Sequence, residues 1–195
     1  MPDSETARAP TLIGLRDYFQ SDNYLKGYLG KDLVKSLLET SGYAVCHYGY
    51  EDTLPDAMSK RTSKTSNSPT GRRIRKSPDL LVYDDQNIML TEVKTRLTSP
   101  PMINSSEIEI LKQFWNDAIL VLVVPFENIF YAQKIEELEI YKGFYLSLSE
   151  FGKLSDVFTR VREEHISHYK EITLPILQIL MSKTQKDSFN RSSVS

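Results

Sequence analysis

The apolar positions change period several times along the chain, and each change marks an element. Between Leu29 and Ser41, the residues Leu29, Leu33, Val34, Leu37 and Leu38 fall on one half of a helical surface, and Asp32, Lys35 and Glu39 fall on the other. Gly42 follows, a residue suited to a left-handed C-terminal cap. Tyr43–Tyr50 has the aromatic and β-branched content of a strand. Residues 52–77 show no period and are rich in Ser, Thr and Lys, which predicts a long mobile loop. Two apolar runs, Asp79–Tyr83 and Ile88–Lys94, flank the polar Asp84–Asn87 and predict a β-hairpin. Ser105 or Ser106 can cap a helix through Asn116 that buries Ile108, Leu111, Phe114 and Trp115. Ala118–Val124 is uninterrupted in its apolar character, as in a central strand covered on both faces.

Ile129–Ile135 and Phe144–Leu148 read as further short strands. From Ser149 the pattern turns helical, with Val157, Val161, His165, Tyr169, Ile172, Ile176 and Leu180 forming one long stripe. This order predicts an α/β domain with a mixed central sheet flanked by helices over residues 11–150. A C-terminal helical segment, 151–182, is expected to pack on that core or on a partner. Residues 1–10 and 183–195 read as disordered ends.

Charge changes the picture more than composition does. The 195 residues carry 24 Lys+Arg and 26 Asp+Glu, close to balance. Seven of the cations, Lys60, Arg61, Lys64, Arg72, Arg73, Arg75 and Lys76, stand in one stretch without an acid. A solvated loop needs no such block, whereas a polyanion such as nucleic acid would be held by one. No run approaches the ~18 apolar residues of a membrane span, so no membrane partner is expected. A single cysteine, Cys46, excludes an internal disulfide framework and a cysteine-cluster zinc site. It reads as a buried small apolar group. These features, with an N-terminus lacking a basic-then-apolar layout, suit a cytoplasmic, intracellular protein. His165 and His168 stand at i and i+3 without a carboxylate in a zinc-like arrangement. They and His47 read as structural residues.

The chemistry concentrates at one end of the hairpin. With the turn near Asp85 and Gln86, Asp79 lies opposite roughly residue 92, and Glu92 and Lys94 project from one face. Either this is an ordinary cross-strand ion pair, or it is a site. Buried charges are costly unless paired or bound to metal. Two carboxylates and a backbone carbonyl form the hard oxygen set preferred by Mg²⁺, or by Mn²⁺ in its place. A lysine beside such a metal can orient or deprotonate an attacking water and offset charge on a phosphate.

Ser77-Pro78-Asp79, followed by Glu92-Val93-Lys94, resembles the PD-(D/E)xK nuclease superfamily with its restriction-endonuclease-like fold. The likeness extends over roughly Leu29 to Pro125, including the strand start Gly42-Tyr43-Ala44-Val45 and the helix and apolar strand after the motif. It implies a Mg²⁺-dependent DNA endonuclease, in which Asp79 and Glu92 ligate the metal, Val93 lends its carbonyl and Lys94 is catalytic. It also implies an acidic residue from the first helix. Asp32 is the best match, Glu39 lies on the same polar side, and Lys31-Asp32 stands where a glutamate is usual. Gln113 matches a polar position after the motif. Holliday-junction resolvases and small restriction-type nucleases fit equally well. The alternative is a non-catalytic nucleic-acid-binding or assembly subunit that keeps the fold; a third reading is a subunit of a defence or recombination complex, active only with partners. Cutting two strands from one site per chain, together with the surplus of the long apolar stripe, leads us to expect a homodimer.

Overall fold

The computed structural model describes residues 22–50, 67–96, 103–125, 129–139, 151–172 and 175. Helix α1 spans Asp22–Thr40, beginning a turn and a half or more before the apolar stripe that announced it. It ends as the sequence expects. Gly42 takes a φ of 88°, its N–H donates to the Glu39 carbonyl at 3.0 Å, and the Tyr43 N–H reaches back to Leu38 at 3.1 Å. That bond pair is the Schellman stop, and only glycine enters its left-handed position without strain.

Strand β1, Ala44–His47, is shorter than expected. It pairs antiparallel with β2, Leu80–Tyr83, which pairs antiparallel with β3, Ile88–Thr95. The turn between them is closed by Asp84, whose Oδ1 accepts the N–H groups of Gln86 and Asn87 at 2.9 Å. Those bonds hold the Asp84 carboxyl below its ordinary pKa. Helix α3, Ser105–Trp115, carries the chain from β3 to the parallel β4, Ile119–Val124. Its cap is Asn104 rather than Ser105 or Ser106: the Asn104 side chain accepts the Ser106 N–H at 3.0 Å. Strands β5, Ile129–Lys134, and β6, Gly152–Lys153, complete a six-stranded mixed sheet in simple sequence order. The α/β class expected from the pattern of elements is the one present. Phe144–Leu148 lies outside the described residues.

Every residue of β4 is buried, because each face has its own core. Ile119, Val121 and Val123 meet Val34, Leu37 and Leu38 of α1, while Leu120, Leu122 and Val124 meet Ile108 and Leu111 of α3. Alternation along the strand sends successive side chains to opposite layers. Gly30 brings α1 directly against Thr95 of β3. A Cβ there would lie 1.9 Å from Thr95 Oγ1 and 3.3 Å from Thr95 Cβ.

Three expectations are corrected. The stretch expected as a mobile loop contains helix α2, Pro69–Arg75. Ser68 caps it, accepting the Gly71 N–H at 3.0 Å, and Pro69 supplies the first-turn geometry. The C-terminal stripe is not one helix. It is a short turn of helix, α4, at Leu154–Val157, a break, and then α5 over residues 163–172. Val161, Ile166, Val157 and Tyr169 pack against the α1 side of the molecule's own core, Ile172 is 52% exposed, and Ile176 and Leu180 lie outside the described residues. Cys46 is exposed on the edge strand β1, not buried. His165 is structural, its Nδ1 lying 2.9 Å from Ser41 Oγ. Among the described residues no helix is long and apolar enough to cross a membrane.

Candidate metal and phosphate site

The site forms where β3 outruns β2. The β2 pairing runs from Leu80 opposite Thr91 to Tyr83 opposite Ile88, and beyond Thr91 the strand continues on β4 alone. The residue before Leu80 is Asp79, so the register sets it beside Glu92, and the Val93 N–H donates to Asp79 Oδ2 at 2.9 Å. Asp79's own carbonyl accepts the Tyr48 and Gly49 N–H groups at 2.9 and 3.3 Å, which ties it to the end of β1. Pro78 stops α2 just upstream, because the residue before a proline is driven out of helical geometry. Arg75 and Lys76, four and three residues ahead of Asp79, are thereby delivered to the same place.

Asp79 and Glu92 are both buried, at 8% and 7% exposure. Each has a lysine. Lys94 Nζ lies 2.5 Å from Glu92 Oε1, and Lys31 Nζ lies 2.6 Å from Asp79 Oδ1. Lys31 also sits 5.8 Å above the ring of Tyr28. These four side chains, with Arg75 and Lys76, line a cavity of about 210 Å³. Glu107 borders it too, held at 2.8 Å by Arg96.

Burial, with the neighbouring Asp79 charge adding to it, pushes Glu92 up to about 7 despite the opposing pull of Lys94 and Lys31. Burial, the largest single influence, would lower Lys94, but the charge and hydrogen bond of Glu92 together with the charges of Asp79 and Glu107 outweigh it, and Lys94 is raised. In that state Lys94 is a fixed positive charge rather than a base.

The structure brings Asp79, Glu92 and Lys94 together and leaves two expected residues out. Asp32 has a side chain 57% exposed and faces His47, with 3.6 Å between Oδ1 and Nε2. Helical phase explains this. Lys31 shares the inward face with Val34 and Leu38, three and seven residues on, whereas Asp32 shares the outward face with Lys35 and Glu39. Lys31 is the residue that sequence reasoning missed: its phase puts it on the apolar side of the helix, but only the packing of α1 on the sheet brings it to Asp79. Gln113 is exposed and lines an adjoining cavity instead. Of the basic stretch, Arg75 and Lys76 border both cavities and Arg72 the second. Arg73 stacks 5.1 Å over the ring of Trp115. Lys60, Arg61 and Lys64 lie outside the described residues. Val93 gives its N–H to Asp79 and its side chain to the α1 core.

Among the described residues no three His, Cys, Asp or Glu side chains converge as a metal cluster. Two buried carboxylates remain, and Mg²⁺ commonly binds through one or two carboxylates while keeping waters. The donor set fits a hard divalent cation and gives zinc none of its preferred sulfur or imidazole ligands.

No protein-family model matches this chain, and no curated protein matches it. Among solved structures it is similar to Hjc, a Holliday junction resolvase from the archaeal hyperthermophile Archaeoglobus fulgidus. The identity is 17% and the TM-score 0.45, over 68% of this chain and 99% of the other.

Proposed function

We propose that this protein is a Mg²⁺-dependent endonuclease acting on DNA phosphodiester bonds. The observation that carries the reading is the pair of buried, lysine-neutralised carboxylates on one strand end, opening into a cavity with further cations. A surface ion pair would be exposed and would need no cavity. Four cations, Lys31, Arg75, Lys76 and Lys94, face three carboxylates, Asp79, Glu92 and Glu107, around that cavity. The balance suits a hard cation and a phosphate together.

Asp79 and Glu92 would hold the cation, with the Val93 carbonyl as the third protein oxygen that the nuclease motif implies. Bound there, it lowers the pKa of a water and polarises the phosphorus–oxygen bond. Lys94, kept charged, stabilises the negative charge that gathers on the phosphate oxygens in the transition state. Arg75 and Lys76 hold the phosphate in line with the site. A homodimer would set two such sites against the two strands of a duplex. Light scattering on the DNA complex, corrected for the DNA, should then give about twice 22.4 kDa of protein.

A second reading has its own support. Lys31 occupies one Asp79 oxygen at 2.6 Å, on a helix where an acidic residue would favour a metal. That contact favours a non-cleaving DNA-binding protein that keeps the fold. Supercoiled, linear and four-way-junction DNA incubated with Mg²⁺ or Mn²⁺ decides between them. Cleavage that disappears in Glu92→Ala and Lys94→Ala supports the nuclease. Tight binding without cleavage, unchanged by either substitution, supports the second reading.

A further inference from the structure

A second cavity, of about 290 Å³, adjoins the first and shares Arg75, Lys76 and Ile110 with it. Its other walls include Arg72 of α2 with Gln113 and Phe114 of α3. The two cavities differ in charge. The first carries three carboxylates among its cations, whereas the second has three cations and no carboxylate. A metal has no ligand in the second, but an anion has three partners there. Arg75 also carries a buried Nε without a hydrogen-bond partner among the described residues, a donor left unsatisfied on a side chain that borders both cavities.

A space of about 290 Å³ has room for a nucleobase, and a base can lay its face on a side chain only where it is not stacked within a duplex. The walls have the matching chemistry. Phe114 offers an aromatic surface, and Gln113 offers an amide donor and acceptor of the kind that reads base edges. We propose that this cavity receives a single unpaired DNA nucleotide next to the phosphate in the first cavity, with its base on Phe114 and Gln113 and its phosphate on Arg72 and Arg75. The proposal rests on the nucleic-acid reading of the neighbouring site and names the substrate class: DNA carrying an unpaired nucleotide, rather than continuous duplex. Helix α2 supplies the cationic wall, and the Arg73–Trp115 contact keeps it beside α3.

The test uses the full chain in EDTA, so that binding is read without cleavage. Fluorescence anisotropy compares duplexes bearing a one-nucleotide bulge with duplexes bearing an abasic residue in the same bulge, which share the bend and lack only the base. The base should improve binding about tenfold, within what stacking one base on an aromatic side chain yields. Phe114→Leu keeps the apolar bulk and loses the aromatic face, and should bring that ratio close to one. Gln113→Ala, at an exposed position that does not threaten folding, should flatten any preference among the four bases. Equal binding of base and abasic bulges by the wild-type protein overturns the proposal. If Mg²⁺-dependent cleavage persists in that case, the nuclease reading stands without it. A clear base preference without cleavage keeps the proposal and removes the nuclease.

Discussion

Lys94 and Glu92 are 2.5 Å apart and mostly out of water, so removing one leaves the other as an uncompensated charge. In the nuclease reading Lys94 acts mainly on the transition state. Lys94→Ala should therefore lower kcat by about 10²-fold or more while DNA affinity changes little; near-normal turnover would remove its assigned role. Glu92 makes a prediction in pH. Its carboxyl is raised to about 7 in the folded chain, against 4.5 as its ordinary value. The folded state thus holds a proton that the unfolded state releases. The stability it contributes is complete below about pH 4.5 and is lost as pH rises through about 7. In urea unfolding without divalent ions, wild type should lose stability relative to Glu92→Gln across that window, by at most about 1.4 kcal/mol per pH unit. Parallel profiles would mean Glu92 is ionised throughout. A cation that needs ionised Glu92 must also displace that proton, so Mg²⁺ affinity should weaken up to about tenfold per unit below about pH 7.

At the scale of elements, two short features position the site. Helix α1 lies close enough for Lys31 to reach Asp79 only because Gly30 has no Cβ to meet Thr95. Gly30→Ala should push the helix outward and cost about 1–3 kcal/mol, as overpacking does, measurable as a lower urea midpoint. An unchanged midpoint would mean that Thr95 turns aside freely. Helix α2 is only seven residues long and has no buried residue, so its cap and its contact with Trp115 must hold it. Neutralising Arg72, Arg73 and Arg75 together should weaken binding to all DNA sequences alike. The slope of log affinity against log salt should flatten by about one unit for each phosphate that is no longer neutralised. The same slope in the triple variant would show these to be solvated cations.

For the whole molecule, the two cores meet across β4, and residues 151–169 pack into them, so a single cooperative unfolding is expected. Phe158, in the break between α4 and α5, is fully buried and packs edge-on against Tyr43 at 5.7 Å. Tyr169 of α5 places its hydroxyl 2.6 Å from Ser36 and 3.0 Å from Thr40 on α1. Phe158→Ala should cost about 3–5 kcal/mol and lower a single unfolding transition seen by both Trp115 fluorescence and far-UV circular dichroism. Two separated transitions would show that the segment beyond residue 151 folds apart from the sheet.

Local rules determined much of this molecule in advance. Gly42 had to end α1, the polar Asp84–Asn87 had to turn the hairpin, and the unbroken apolar run of β4 had to lie between two layers. The period-two geometry of β3 put Glu92 and Lys94 on one face, and the hairpin register brought Asp79 beside them. Each of these is a rule about neighbours in the chain. Helix α2 was legible in the same way, through Ser68-Pro69, but a Ser-, Thr- and Lys-rich surrounding without apolar period concealed it. Only the tertiary structure decided which residue of α1 faces the site, because that depends on the rotation of the helix against β3, fixed by Gly30 on Thr95. It gave the place to Lys31 and turned Asp32 to His47. It alone also set Gln113 in a separate cavity and folded the Val157–Tyr169 stripe onto its own core, since both depend on where distant elements pack rather than on spacing along the chain.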